Sequence, residues 1–74
     1  MKYKLEDTVF YNVHEQKLMP YSMVPLIVLA RGQMEFKDGM KNVYMVRFRF
    51  NNRWMETLLP EAVLSYVNPF GPRR

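Results

Sequence analysis

Val43-Tyr44-Met45-Val46-Arg47-Phe48-Arg49-Phe50-Asn51-Asn52-Arg53-Trp54-Met55-Glu56-Thr57-Leu58 is the stretch that decides the fold class. Two alternating runs flank Asn51-Asn52, and asparagine is one of the few residues that accept the left-handed backbone of a two-residue hairpin turn. Tyr44, Val46, Phe48 and Phe50 give the first run an apolar face, while Arg47 and Arg49 lie on the other. A two-residue turn also fixes the register. Phe50 then opposes Arg53, Arg49 opposes Trp54, Phe48 opposes Met55, Arg47 opposes Glu56, Val46 opposes Thr57 and Met45 opposes Leu58. Directly opposed residues share a face. One face thus carries Val46–Thr57 and Phe48–Met55; the other carries Met45–Leu58, an Arg47–Glu56 ion pair and an Arg49–Trp54 cation–π pair. A register slipped by one residue loses both polar pairs.

Outward from the hairpin, 74 residues make one small domain that buries about 60–65% of its extended surface. Hydrophobic residues are 49% of the chain and eleven are aromatic, which suffices for a packed core and argues against disorder. With no cysteine, disulfides and thiolate metal sites are excluded, and a reducing compartment fits best. Residues 1–7 lack the apolar run of a signal peptide. The longest apolar stretch, Val24 to Ala30, contains Pro25 and is far short of the roughly 20 residues of a membrane span. A soluble, cytoplasmic protein with no membrane partner is the expectation.

The net charge is +4, and Arg73 and Arg74 supply half of it. Residues 1–72 hold nine basic and seven acidic groups, a balance of +2. Within them, Met40 to Met55 contains Lys41, Arg47, Arg49 and Arg53 with no acid. The basicity is local, and that matters more than the total.

Along the rest of the chain, Val9 to Val13 alternates as a first strand, and residues 14–23 form a long loop. Val24 to Gln33 is aliphatic and β-branched and reads as the most buried strand, with an extension through Met34 to Phe36. Gly32 within it predicts a bulge or bend. Lys37-Asp38-Gly39 is a turn leading into the strand at 43–50, and Arg53 to Leu59 is the fourth strand. Pro60 to Leu64 fits one short helical turn, and Tyr66-Val67 a closing strand. These elements define a single domain over residues 1–68 and a basic Pro/Gly tail over 69–74, which is expected to be flexible.

Leu5-Glu6-Asp7-Thr8-Val9, the meander of residues 24–59, and Leu59-Pro60-Glu61-Ala62-Val63-Leu64 before Tyr66 resemble the SH3-like barrels, including the Tudor and KOW types. Glu6 stands where glycine is usual in the family's Gly-Asp-x-Val step. The acidic Ala-Leu-Tyr-Asp-Tyr segment of proline-binding SH3 domains is missing, and no complete Tudor aromatic cage can be assigned. The resemblance implies a mainly β fold, a small barrel of four to five antiparallel strands with one helical turn near residues 60–64. It implies no function, because such barrels serve many.

Candidate chemistry is sparse. His14, the sole histidine, sits beside Glu15 with no nucleophile marked for it. No His/Cys/Asp/Glu spacing suggests a metal site, the seven carboxylates are scattered, and the three glycines form no phosphate loop. No enzyme and no cofactor are expected. Two candidate surfaces remain. Arg49, Arg53 and Trp54, with Lys41 nearby, form a basic and aromatic corner of the residue types enriched at binding hot spots. Met19-Pro20-Tyr21-Ser22-Met23-Val24-Pro25 is an apolar loop in which Met19, Tyr21 and Met23 supply either an adaptable contact surface or a lid on the core.

Two functions fit. The first is a non-enzymatic regulator docking on a larger protein, in the manner of small accessory proteins of mobile elements. A larger protein is the expected partner, and a nucleic-acid-processing machine is one candidate for it. The second is a direct nucleic-acid-binding module of low sequence specificity. Exposed methionines would add a homodimer interface.

Overall fold

Five antiparallel strands form one sheet in the order β4-β3-β2-β1-β5. They are β1 (Thr8–Tyr11), β2 (Leu26–Phe36), β3 (Gly39–Phe50), β4 (Arg53–Pro60) and β5 (Leu64–Ser65), with one 3-10 turn at Glu61–Val63. The computed structural model describes residues 1–13 and 19–68. His14, Glu15 and the 69–74 tail lie outside the described residues.

Asn51 and Asn52 both take positive φ, 54° and 62°, so the hairpin closes in the mirror-image turn whose twist suits the flanking strands. Every pair expected from Phe50–Arg53 to Met45–Leu58 is present, and the ladder continues through Tyr44–Leu59 and Val43–Pro60. Alternation then sorts the side chains. Tyr44, Val46 and Phe48 are buried with Val9, Tyr11, Leu26, Val28, Leu59, Leu64 and Tyr3.

Four expectations are corrected by the geometry. The most buried strand is β3, because β2 buries only Leu26 and Val28 before running out as a long hairpin arm to Phe36. The bulge falls between Val28 and Ala30, and Gly32 pairs regularly with Val43. Leu29 is the extra residue, and a bulge bends its strand. The arm's turn is tighter than expected, so β3 begins at Gly39, whose φ of 119° suits glycine. The closing strand is Leu64–Ser65, which pairs with Phe10 and Tyr11; Tyr66 and Val67 are exposed and follow it. Val63, just before this strand, accepts a hydrogen bond from the Asn12 backbone N–H.

β4 and β5 are the two edges and are not bonded to one another, so the sheet is open. The N-terminal segment crosses its inner side. Tyr3 is fully buried, its hydroxyl donates to the Leu64 carbonyl at 2.8 Å, and its ring meets those of Tyr44 and Tyr66 edge-on. Glu6 has φ 70°. That left-handed step turns the chain so that the Glu6 N–H donates to Val28 and the Asp7 carbonyl accepts from the Val28 N–H. Among the described residues no helix is long and apolar enough to cross a membrane.

Candidate functional site

Trp54 is placed by the turn. Two residues after Asn52, it lies on the face of the hairpin turned away from the core, and 49% of it is exposed. Arg49 opposes it directly and Arg47 lies diagonally across the ladder; diagonal neighbours are within reach of long side chains. Both guanidinium groups lie over the indole, Arg47 at 4.4 Å and Arg49 at 5.3 Å from the ring centroid.

Arg47 was expected to pair with Glu56. The two are opposed in register, but the guanidinium lies over the indole, and the one ion pair among the described residues is Lys41–Asp38 at 3.0 Å. A planar guanidinium on a ring keeps its in-plane N–H donors, so stacking leaves Arg47 and Arg49 able to bind an acceptor.

The loop from Met19 wraps the same end of the sheet. The Met19 N–H donates to the Ser22 hydroxyl at 2.8 Å, and the Ser22 N–H returns to the Met19 carbonyl at 2.9 Å, closing a tight turn. This turn presents Met19, Pro20, Met23 and Val24 around exposed Phe50, leaving a hollow of about 320 Å³. A second hollow of about 320 Å³ lies between Thr8, Val24, Pro25, Ile27, Arg49 and Trp54. Val24 lines both. The loop and the tryptophan corner, expected to share one contact with a protein partner, adjoin through Val24.

Three expected site residues lie elsewhere. Tyr21 turns inward, meeting Tyr11 and Phe48 edge-on at 4.9 and 5.9 Å, so it is the lid on the core. Arg53 opposes Phe50, on the opposite face of the hairpin from Trp54. Lys41 is eight positions from Arg49 along β3, roughly 27 Å at about 3.4 Å per residue. There it holds Asp38 and lies over the Phe36 ring at 5.9 Å, beside a separate hollow of about 480 Å³.

A polar latch at the far end of the core was missed from sequence. The Tyr44 hydroxyl donates to Glu61 Oε2 at 2.5 Å and accepts the Lys2 and Tyr3 N–H groups, and Lys2 also donates to Glu61 at 2.9 Å. The phenol's hydrogen bond holds the Glu61 carboxyl below its ordinary range, while burial first, and then Glu61, push the Tyr44 phenol up. Nearby, Tyr66 donates to Asp7 Oδ2 at 2.5 Å; that contact lowers Asp7 and raises Tyr66 to about 12. The available signal was a tyrosine on the core-facing side of a strand, whose hydroxyl needs a partner.

Among the described residues no group of three or more metal-ligating side chains converges. No protein-family model, no curated protein and no solved structure matches this chain.

Proposed function

We propose that the protein is a non-enzymatic binding module that docks through the Trp54 corner on an acidic and apolar surface of a larger protein. The observation that carries this reading is the half-exposed indole under two guanidinium groups, adjoining two apolar hollows that share Val24. Carboxylates of a partner would meet the in-plane donors of Arg47 and Arg49, and its apolar side chains would fill the hollows. The order of three meander strands, a 3-10 turn and a short strand returning to β1 supports assigning the fold to the SH3-like group.

Direct binding of nucleic acid is the second reading, and the placement of the cations weighs against it. Lys41 is at the remote end, Arg31 donates to the Tyr3 carbonyl at 3.1 Å, and Lys2 lies over the Tyr3 ring. A base seeking the indole would compete with the two arginines already over it.

Trp54 is the sole tryptophan, so its emission excited at 295 nm reports on the site. Titration with a random glutamate–tyrosine copolymer should change that emission saturably, and polyuridylate should have little effect. If polyuridylate alone acts, with affinity falling linearly in log-log plots against salt, the nucleic-acid reading replaces this one. A flat response to both overturns it.

A further inference from the structure

The geometry points to a second binding surface, the free edge of β4, and to a second copy of this chain as its occupant. This goes beyond the docking face and is testable without any partner protein. β4 is eight residues long and, among the described residues, unpaired on one side. An open edge of this length is a template for another strand, and proteins usually cover or blunt such edges.

The turn says which groups the edge offers. Phe50 and Arg53 flank a two-residue turn and so form a hydrogen-bonded pair; the pattern alternates from there through Met55, Thr57 and Leu59. The N–H and C=O groups of Trp54, Glu56 and Leu58, and the C=O of Pro60, therefore point away from β3.

Self-pairing of this edge has one favoured register. A twofold axis perpendicular to the sheet must place residues of equal parity opposite one another, since opposed side chains share a face. Centring on Glu56 sets like charges against each other on the axis. Centring on Met55 shortens the overlap. Centring on Thr57 sets threonine against threonine, Glu56 against Leu58, Met55 against Leu59 and Trp54 against Pro60. Cross-strand threonine pairs and apolar pairs each stabilise such a ladder. The backbone agrees with this register. Glu56 of each copy exchanges both backbone bonds with Leu58 of the other, and the Trp54 N–H reaches the Pro60 carbonyl, where the missing proline N–H is the only loss.

The product is one continuous ten-stranded sheet, with both tryptophan corners on the same face about 20 Å apart, six residue rises. Exposed Met55 and Leu58, which have no role in the core, become covered cross-strand neighbours.

The test uses the full chain, whose lack of cysteine makes an introduced thiol unique. Sedimentation equilibrium from 10 µM to 1 mM should show the 9.0 kDa chain in reversible exchange with a species of twice that mass. Thr57→Cys should cross-link under mild oxidation, because the paired Cα atoms approach to about 4.5 Å in a non-hydrogen-bonded pair. Glu56→Cys should not, because its copies would lie about 8 Å apart, beyond disulfide reach. Leu58→Pro, which removes an outward N–H and leaves the β3 ladder intact, should lower self-affinity at least tenfold with unchanged far-ultraviolet circular dichroism. A monomer at every concentration overturns the proposal. Cross-linking through Glu56→Cys in preference to Thr57→Cys overturns it as well.

Discussion

Tyr44 and Trp54 sit on neighbouring strands of one hairpin, and the sheet treats them in opposite ways. Tyr44 is buried, and its hydroxyl joins Glu61, Lys2 and Tyr3. Trp54 is half exposed, and its only described ring partners are two arginines on its own face. The first arrangement consumes every polar group to hold the chain's N-terminal segment against the core. The second holds two cations in place without neutralising them. Inner-face residues should therefore govern stability, and outer-face residues at the turn should govern binding.

The sharpest way to break that contrast is to hollow the inner face. Phe48→Ala removes a buried ring between β2, β4 and Tyr21 and should cost about 3–5 kcal/mol, read as a lower urea midpoint. A loss under 1 kcal/mol would mean that this face is not the core. Next comes the latch. Tyr44→Phe keeps the ring but strands the Tyr3 N–H and leaves the Glu61 carboxylate with the Lys2 N–H but without the phenol, for an expected cost of about 1–3 kcal/mol.

Acid should act on the same latch. Glu61 and Asp7 both have folded pKa values below their ordinary carboxylate values. Folding thus favours their ionised forms, and this stabilisation is complete above about pH 5 and lost as pH falls through about 4 and below. Tyr66, raised to about 12, behaves conversely: its contribution is complete below about pH 10 and is lost as pH rises towards 12. A thermal-stability profile should therefore be flat between about pH 5 and 9. Glu61→Gln should flatten the acid limb in particular. The smallest effect concerns Glu6, whose φ of 70° suits glycine: Glu6→Gly should be neutral or stabilise by up to about 1 kcal/mol.

How legible these regions were in the sequence follows the same division. The hairpin was readable pair by pair because a two-residue turn and period-two alternation leave no freedom of register, so Arg49–Trp54 could be placed in advance. Rotamer choice could not. Arg47 has both Glu56 and the Trp54 ring within reach, and the ring wins on a surface where an exposed ion pair contributes little. The bulge at Leu29 carries no glycine to mark it, and Gly32 drew attention to the wrong residue. A shared contact between the Met/Pro loop and the Trp54 face could be expected from their residue types, but the residue that joins them, Val24, is fixed by where the chain crosses the end of the sheet, a long-range fact without a local signature.

Trp54→Ala, measured at once for stability and for binding of the glutamate–tyrosine copolymer, tests most directly whether the corner is kept for recognition. Because the mutation removes the fluorophore, binding is followed by fluorescence anisotropy of a labelled copolymer. The expected result is a thermal midpoint within a few degrees of the unaltered protein, since exposed cation–π contacts contribute only about 0.5–1 kcal/mol each, with affinity at least tenfold weaker. Unchanged affinity, or a midpoint lowered by more than about 10 °C, would contradict it.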